Sequence, residues 1–154
     1  MSISPEKTSE IDTQVRKLVY DHFMTHSASV SRAEVAAHLS LPEAMAEASY
    51  NRLAEAHVLV LQPASGQVLM ANPFSAVPTA FRVVSGTKHW WGNCIWDGLG
   101  ILAMTAQDGT LQTSCPDCGE ALSLTVAAAN LAHAEGVVHF AVPAAHWWDD
   151  IVFT

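Results

Sequence analysis

The densest run of reactive side chains is Trp90-Trp91-Gly92-Asn93-Cys94-Ile95-Trp96-Asp97-Gly98. A thiol and a carboxylate three residues apart share one face if the segment is helical. Cys94 falls near the start of an apolar helical pattern, Asn93 to Met104, with Asn93 placed to cap it. Unpaired N–H groups and the helix dipole favour a thiolate there. A nearby carboxylate opposes that by raising the thiol pKa. One resolution is that Asp97 holds or passes the thiol proton. The plainer reading, a small buried Cys94 beside a capping Asp97, stays open on spacing alone.

The other two cysteines form Cys115-Pro116-Asp117-Cys118-Gly119. Two thiolates at that spacing could supply half of a tetrahedral zinc site. The remaining ligands would come from Cys94, His133, His139 or His146, since no second C-x-x-C exists. The pair could equally be redox-active, bind a soft ion such as Hg(II) or Cu(I), or merely close a turn between strands.

These groups need a scaffold, and the sequence suggests one. Residues 1–10 read as a polar, disordered tail. Ile11, Val15, Leu18, Val19 and Phe23 recur at helical spacing. Ser31 and Glu34 form a capping box that opens a short helix with Val35, Ala36 and Leu39 inward. Ser40 and Glu43 read as a second capping box, with Pro42 in the first turn of a helix through Ala44, Ala48 and Leu53. Leu59–Leu61 and Val68–Met70 read as two strands. Three helices and a hairpin over residues 11–71 make a winged-helix-like region. Residues 72–80 read as a Pro-bearing connector. Residues 81–154 read as a small, mostly antiparallel sheet with one helix, that of Cys94 and Asp97. Its strands are expected at Phe81–Val84, Leu111–Thr113, Leu122–Val126, Val137–Val142 and Ile151–Phe153. The fold class is α+β.

The composition narrows the function. The 154 residues are 50% hydrophobic and 14% charged, enough for a core. No apolar run reaches the ~20 residues of a membrane span. Three cysteines are too few and too odd in number for a disulfide framework, which fits a reducing cytoplasm. The net charge is −8, and residues 1–80 hold five basic against eight acidic residues. The third helix would be the DNA-reading one, yet it carries Glu43, Glu47 and Glu55 against Arg52 alone. Three carboxylates there would repel phosphates, which argues against nucleic acid as a partner.

At Cys94-Ile95-Trp96-Asp97 the sequence resembles the alkylmercury (organomercurial) lyases. The likeness continues through the aliphatic stretch Gly98-Leu99-Gly100-Ile101-Leu102-Ala103. It extends to Cys115 ahead of Gly119–Val126, and to the valine-rich segment Val137–Pro143. The resemblance implies protonolysis of carbon–mercury bonds, releasing a hydrocarbon and Hg(II). Cys94 would bind the substrate mercury. Asp97 would carry the thiol proton to the leaving carbon and touch Hg(II) afterwards. From their positions, Trp91 and Trp96 are expected to line an apolar pocket for the organic group. No resident cofactor is implied; mercury is substrate and product. In the family a second catalytic cysteine follows the position of Phe153-Thr154, and the resemblance implies that Cys115 is structural. The 154 residues do not reach that second thiol, so weak or absent turnover is expected of them unless Cys115 or Cys118 replaces it. Cys118 itself departs from the family pattern. The competing expectations are a non-catalytic soft-metal or zinc module using Cys115 and Cys118, and a winged-helix metal-responsive regulator.

Overall fold

The structure is a computed structural model that describes residues 4–132 and 135–152. Helix α1 runs Pro5–His26. It starts six residues before the apolar repeat begins, so residues 5–10 are helical rather than a disordered tail. The start signal is local: Ser4 caps the helix through Lys7 N–H, Pro5 fits the first turn, and Glu6 faces the positive end of the dipole. Ile11, Val15, Val19 and Phe23 form its buried stripe.

Helix α2, Arg32–Leu39, opens with the expected capping box of Ser31 and Glu34. Helix α3, Glu43–Glu55, has Pro42 at its N-cap and no side-chain cap. The second capping box therefore does not form. Ser40 is spent ending α2: it turns left-handed at φ 53°, and its N–H closes on the carbonyls of Ala36 and Ala37. Asp12 of α1 ties to α3 through Arg52 at 2.7 and 2.9 Å and through the Ser49 hydroxyl at 2.6 Å.

Strands β1 (Val60–Leu61) and β2 (Val68–Ala71) form the expected hairpin. The segment read as a connector does more than connect. Phe74–Ser75 is strand β3, pairing with β2 on one side and with β5 (Lys88–Gly92) on the other. Strands β4 (Phe81–Ser85), β6 (Gly109–Ser114), β7 (Ala121–Ala127) and β8 (Asn130–Ala132) complete an antiparallel sheet in the order β1-β2-β3-β5-β4-β6-β7-β8. The hairpin that follows the three helices and the second half of the chain thus share one sheet.

Two strand expectations fail. Residues 137–142 are not a strand, and Val137 is 93% exposed. Gly136, at φ 101°, turns the chain just ahead of that run, and β8 takes the place beside β7 instead. Ile151 and Val152 lie in a turn; Phe153 and Thr154 fall outside the described residues, as does His133.

The core lies between one sheet face and the helices. Trp90, Val83 and Leu111 are paired across β5, β4 and β6, so their side chains share that face, and all three are buried. The Trp90 indole N–H donates to the Phe23 carbonyl at 2.8 Å, and Phe23 stacks on Phe74 at 5.2 Å. Helix α4, Ile95–Thr105, packs on the same face through Gly98, Ile101 and Leu102. No helix among the described residues is long and apolar enough to cross a membrane.

Candidate functional site

Strand β5 ends at Gly92 and α4 begins three residues later, so the connection is forced into a tight turn. A Cβ at Gly92 would lie 2.7 Å from the Gly98 nitrogen. A Cβ at Gly98 would lie 2.6 Å from Leu111 Cδ1. The two glycines let the first turn of α4 sit directly on the sheet end, which fixes where Cys94 and Asp97 point.

Cys94, not Asn93, is the N-cap. Its backbone is extended, at φ −146° and ψ −179°, and its Sγ accepts from Asp97 N–H at 3.4 Å. The thiol occupies the seat that Ser, Thr or Asp usually fills. Asp97 sits in the first turn, half-buried. Burial pushes the Cys94 thiol up, and the Asp97 charge adds to that; the N–H groups of Asp97 and Trp96 pull the other way and lose. Desolvation therefore outweighs the helix N-terminus, opposite to the thiolate that position alone suggests. Burial also raises the Asp97 carboxyl, against hydrogen bonds from Asn93 and from the Cys94 thiol. The Cys94 thiol and the Asp97 carboxyl thus lie in the same first turn, each shifted by the other. Two groups whose charged forms are both penalised share one proton more readily than either gives it to water.

Asn93, displaced from capping, holds the carboxylate. Its side-chain amide donates to Asp97 Oδ2 and to Asn72 Oδ1, each at 3.0 Å. Its own Oδ1 is buried with no hydrogen-bond partner. The Tyr20 hydroxyl donates to the Asn72 carbonyl at 3.0 Å, tying α1 to this network. Burial raises the Tyr20 phenol, so it stays protonated as a donor. Sequence reasoning missed Asn93 as a ligand of Asp97 and missed Asn72 and Tyr20 altogether. Asn93 was visible beside the motif; nothing local marks the other two.

The two tryptophans expected to share a pocket are set apart. Trp91 pairs with Arg82, which in turn pairs with Gln112, so it lies on the sheet face opposite Trp90, Leu111 and α4. Trp96 stands 65% exposed on the first turn of α4. The fully buried indole is that of Trp90.

Cys115 and Cys118 lie on the turn that closes the β6–β7 hairpin. Cys115 N–H donates to the Glu120 carbonyl at 2.8 Å, and Gly119 N–H donates to the Cys115 carbonyl at 2.9 Å. The Cys118 and Asp117 backbone amides and the Cys118 thiol face the Cys115 sulfur and hold its pKa below the ordinary thiol value. Among the described residues no group of three or more His, Cys, Asp and Glu is arranged to hold a metal ion. His146 instead engages Asp149 at 3.0 Å. The tetrahedral zinc site considered from the sequence therefore lacks its further ligands among the described residues.

A family model for the alkylmercury lyases (MerB) matches residues 74–154, from β3 through the Cys94–Asp97 turn and beyond. The chain belongs to the alkylmercury lyase family. A crystal structure of the mercury-bound form of MerB2 superimposes with a TM-score of 0.63 at 17% identity. The match covers 80% of this chain and 58% of that one, and at such identity it establishes a shared fold. No curated protein matches the sequence.

Proposed function

We propose that the chain acts on organomercurials by protonolysis, with Cys94 as the mercury-binding nucleophile and Asp97 as the proton carrier. The observation that supports this reading is the Cys94–Asp97 geometry: a half-buried thiol caps α4 by accepting the backbone N–H of the half-buried Asp97, which puts thiol and carboxyl in one helical turn. Membership of the family supports the substrate class.

The steps balance without an outside oxidant or reductant. The Cys94 sulfur forms a bond to the substrate mercury and displaces its weaker ligand, while the thiol proton passes to Asp97. A soft thiolate on mercury pushes electron density toward the carbon. Asp97 then protonates that carbon, the carbon–mercury bond breaks, and the hydrocarbon leaves. Hg(II) remains on Cys94, with the regenerated Asp97 carboxylate beside it. The raised Asp97 pKa serves the second step, because an acid must hold its proton until the carbon is ready. Asn93 restrains the carboxylate during both.

The assembly and surroundings follow as part of the proposal. The cysteines are free, which fits a reducing cytoplasm. Arg52, the basic residue of α3, is already paired with Asp12, leaving that helix without a cation directed at a phosphate. That favours a small-molecule substrate over DNA.

The test is methane release from methylmercury, followed by headspace gas analysis. The 154-residue chain, with a single thiolate beside Asp97, should release methane slowly, and Cys94→Ser and Asp97→Asn should each reduce the release to background. Release that survives either substitution would remove that residue from the mechanism.

A further inference from the structure

We propose that the Cys115–Cys118 turn is a second thiophilic site, a two-coordinate clamp for Hg(II) distinct from the Cys94–Asp97 centre. Three observations carry it. The two cysteines share one tight turn, fixed at both ends by the Cys115–Glu120 and Gly119–Cys115 backbone hydrogen bonds. That holds their sulfurs on one short loop rather than on separate elements. Cys118 is exposed and Cys115 partly so, and neither is in a disulfide. Finally, no third ligating side chain joins the pair among the described residues.

The donor set selects the ion. Zinc demands four ligands and finds two among the described residues. A soft ion that is content with two thiolates finds its whole coordination shell in the turn. On binding, two sulfur–mercury bonds form and the two thiol protons leave to solvent, with no change of oxidation state.

The sheet register gives the clamp a place. Gly92 pairs with Phe81 at the start of β4, and Arg82 pairs with Gln112 near the end of β6. Cys94, two residues past Gly92, and Cys115, three past Gln112, therefore leave the sheet at the same end, with β4 between their strands. Two inter-strand spacings amount to about 10 Å. An ion released from Cys94 would leave at the same sheet end as this turn; that clause alone rests on the lyase reading, while the clamp itself does not.

The experiment uses the 154-residue chain carrying Cys94→Ser, in which Cys115 and Cys118 are the thiols that remain, with Hg(II) as probe and excess glutathione as competitor. One equivalent of Hg(II) should survive gel filtration, with sulfur-to-mercury charge-transfer absorption saturating at that ratio. Cys94→Ser/Cys115→Ser and Cys94→Ser/Cys118→Ser should each bind about a hundredfold more weakly, because a second linked thiol acts at high effective concentration. Circular dichroism confirms that each variant is folded. Complete loss of Hg(II) from Cys94→Ser to glutathione overturns the proposal, as does equal retention by either double variant. Cobalt substitution giving a tetrahedral thiolate spectrum overturns the two-coordinate assignment. None of these readings depends on hydrocarbon release, so failure of the lyase reading is seen separately.

Discussion

The Asn93 side-chain amide lies 3.0 Å from Asp97 Oδ2, and the same nitrogen lies 3.0 Å from Asn72 Oδ1. One amide thus fixes the Asp97 carboxyl against the segment that follows β2. Its two N–H bonds are both spent, so it can only donate to Asp97, which favours the ionised carboxylate. Burial pushes the other way and wins. Asp97 is held between these two forces.

Asn93→Ala removes the donor and leaves the burial. The Asp97 pKa is expected to rise further, and the acid limb of a pH–rate profile for methane release should move to higher pH. The loss of a hydrogen bond to a charged group is worth about 1.5–3 kcal/mol, part of which should appear as lower stability. Asn93→Gln, with the amide retained, separates the two effects if it can reach the carboxylate. A profile that does not move in Asn93→Ala would show that Asn93 does not act on Asp97.

Asp97 acts in turn on Cys94. Its charge is one of the causes that raise the thiol pKa, second to burial among those that do so. In Asp97→Asn that charge is gone, so the pH midpoint for alkylation of Cys94 by iodoacetamide should fall. Linkage gives a second sign. A carboxyl with a raised folded pKa binds more protons in the folded state, so stability declines as pH rises through the window from its ordinary value to its raised one. At neutral pH the ionised, half-buried Asp97 therefore costs stability, and Asp97→Asn should melt higher than wild type there. The difference should vanish below the ordinary carboxylate range. An unchanged alkylation midpoint together with a lower melting temperature would contradict both signs.

How much of this could be read from residues alone depends on how local each signal is. The Cys94–Asp97 relationship was legible because a helix start puts positions three apart together, whatever the rest of the fold does. Ser31 and Glu34 were legible for the same reason. Asn93 was misassigned because the cap seat has one occupant and Cys94 took it. Phe74–Ser75 was hidden because two residues after a proline carry no period, and only β2 and β5 on either side make them a strand. The valine-rich run from Val137 failed in the opposite sense: it has strand composition, but a strand needs a partner, and β8 holds the place beside β7. Trp91 and Trp96 were paired by nearness in sequence, whereas the pleat sends Trp91 to the face away from α4.

The close seat of α4 gives a packing prediction. Gly98→Ala places a methyl 2.6 Å from Leu111 Cδ1 and 2.9 Å from Cδ2. Overpacking of this kind costs about 1–3 kcal/mol. Leu111 is fully buried, and Leu111→Ala alone should cost about 2–5 kcal/mol by cavity formation. The double variant fills part of the cavity with the new methyl, so its cost should fall below the sum of the two. Strict additivity in urea melts would mean that α4 does not bear on Leu111 at this point. Because Gly98 follows Asp97, Gly98→Ala should also slow any methane release more than Leu111→Ala does at matched stability.

The helical region offers an independent check far from the site. Burial tends to raise the Asp12 carboxyl, but the Arg52 hydrogen bonds, the Ser49 hydroxyl and the Arg52 charge outweigh it, and the pKa lies below the ordinary value. A depressed carboxyl contributes stability that is present above its unfolded pKa and is lost as pH falls through the folded one. Asp12→Asn removes that contribution at neutral pH and has nothing left to lose in acid. The variant should therefore melt lower than wild type at pH 7, by the equivalent of about 1 kcal/mol for a partly exposed pair. The two curves should converge as pH drops below the carboxylate range. Arg52→Ala should give the same convergence, because the pair titrates through Asp12. A constant gap between wild type and Asp12→Asn down to the lowest pH would mean that α1 and α3 are joined there by packing rather than by charge.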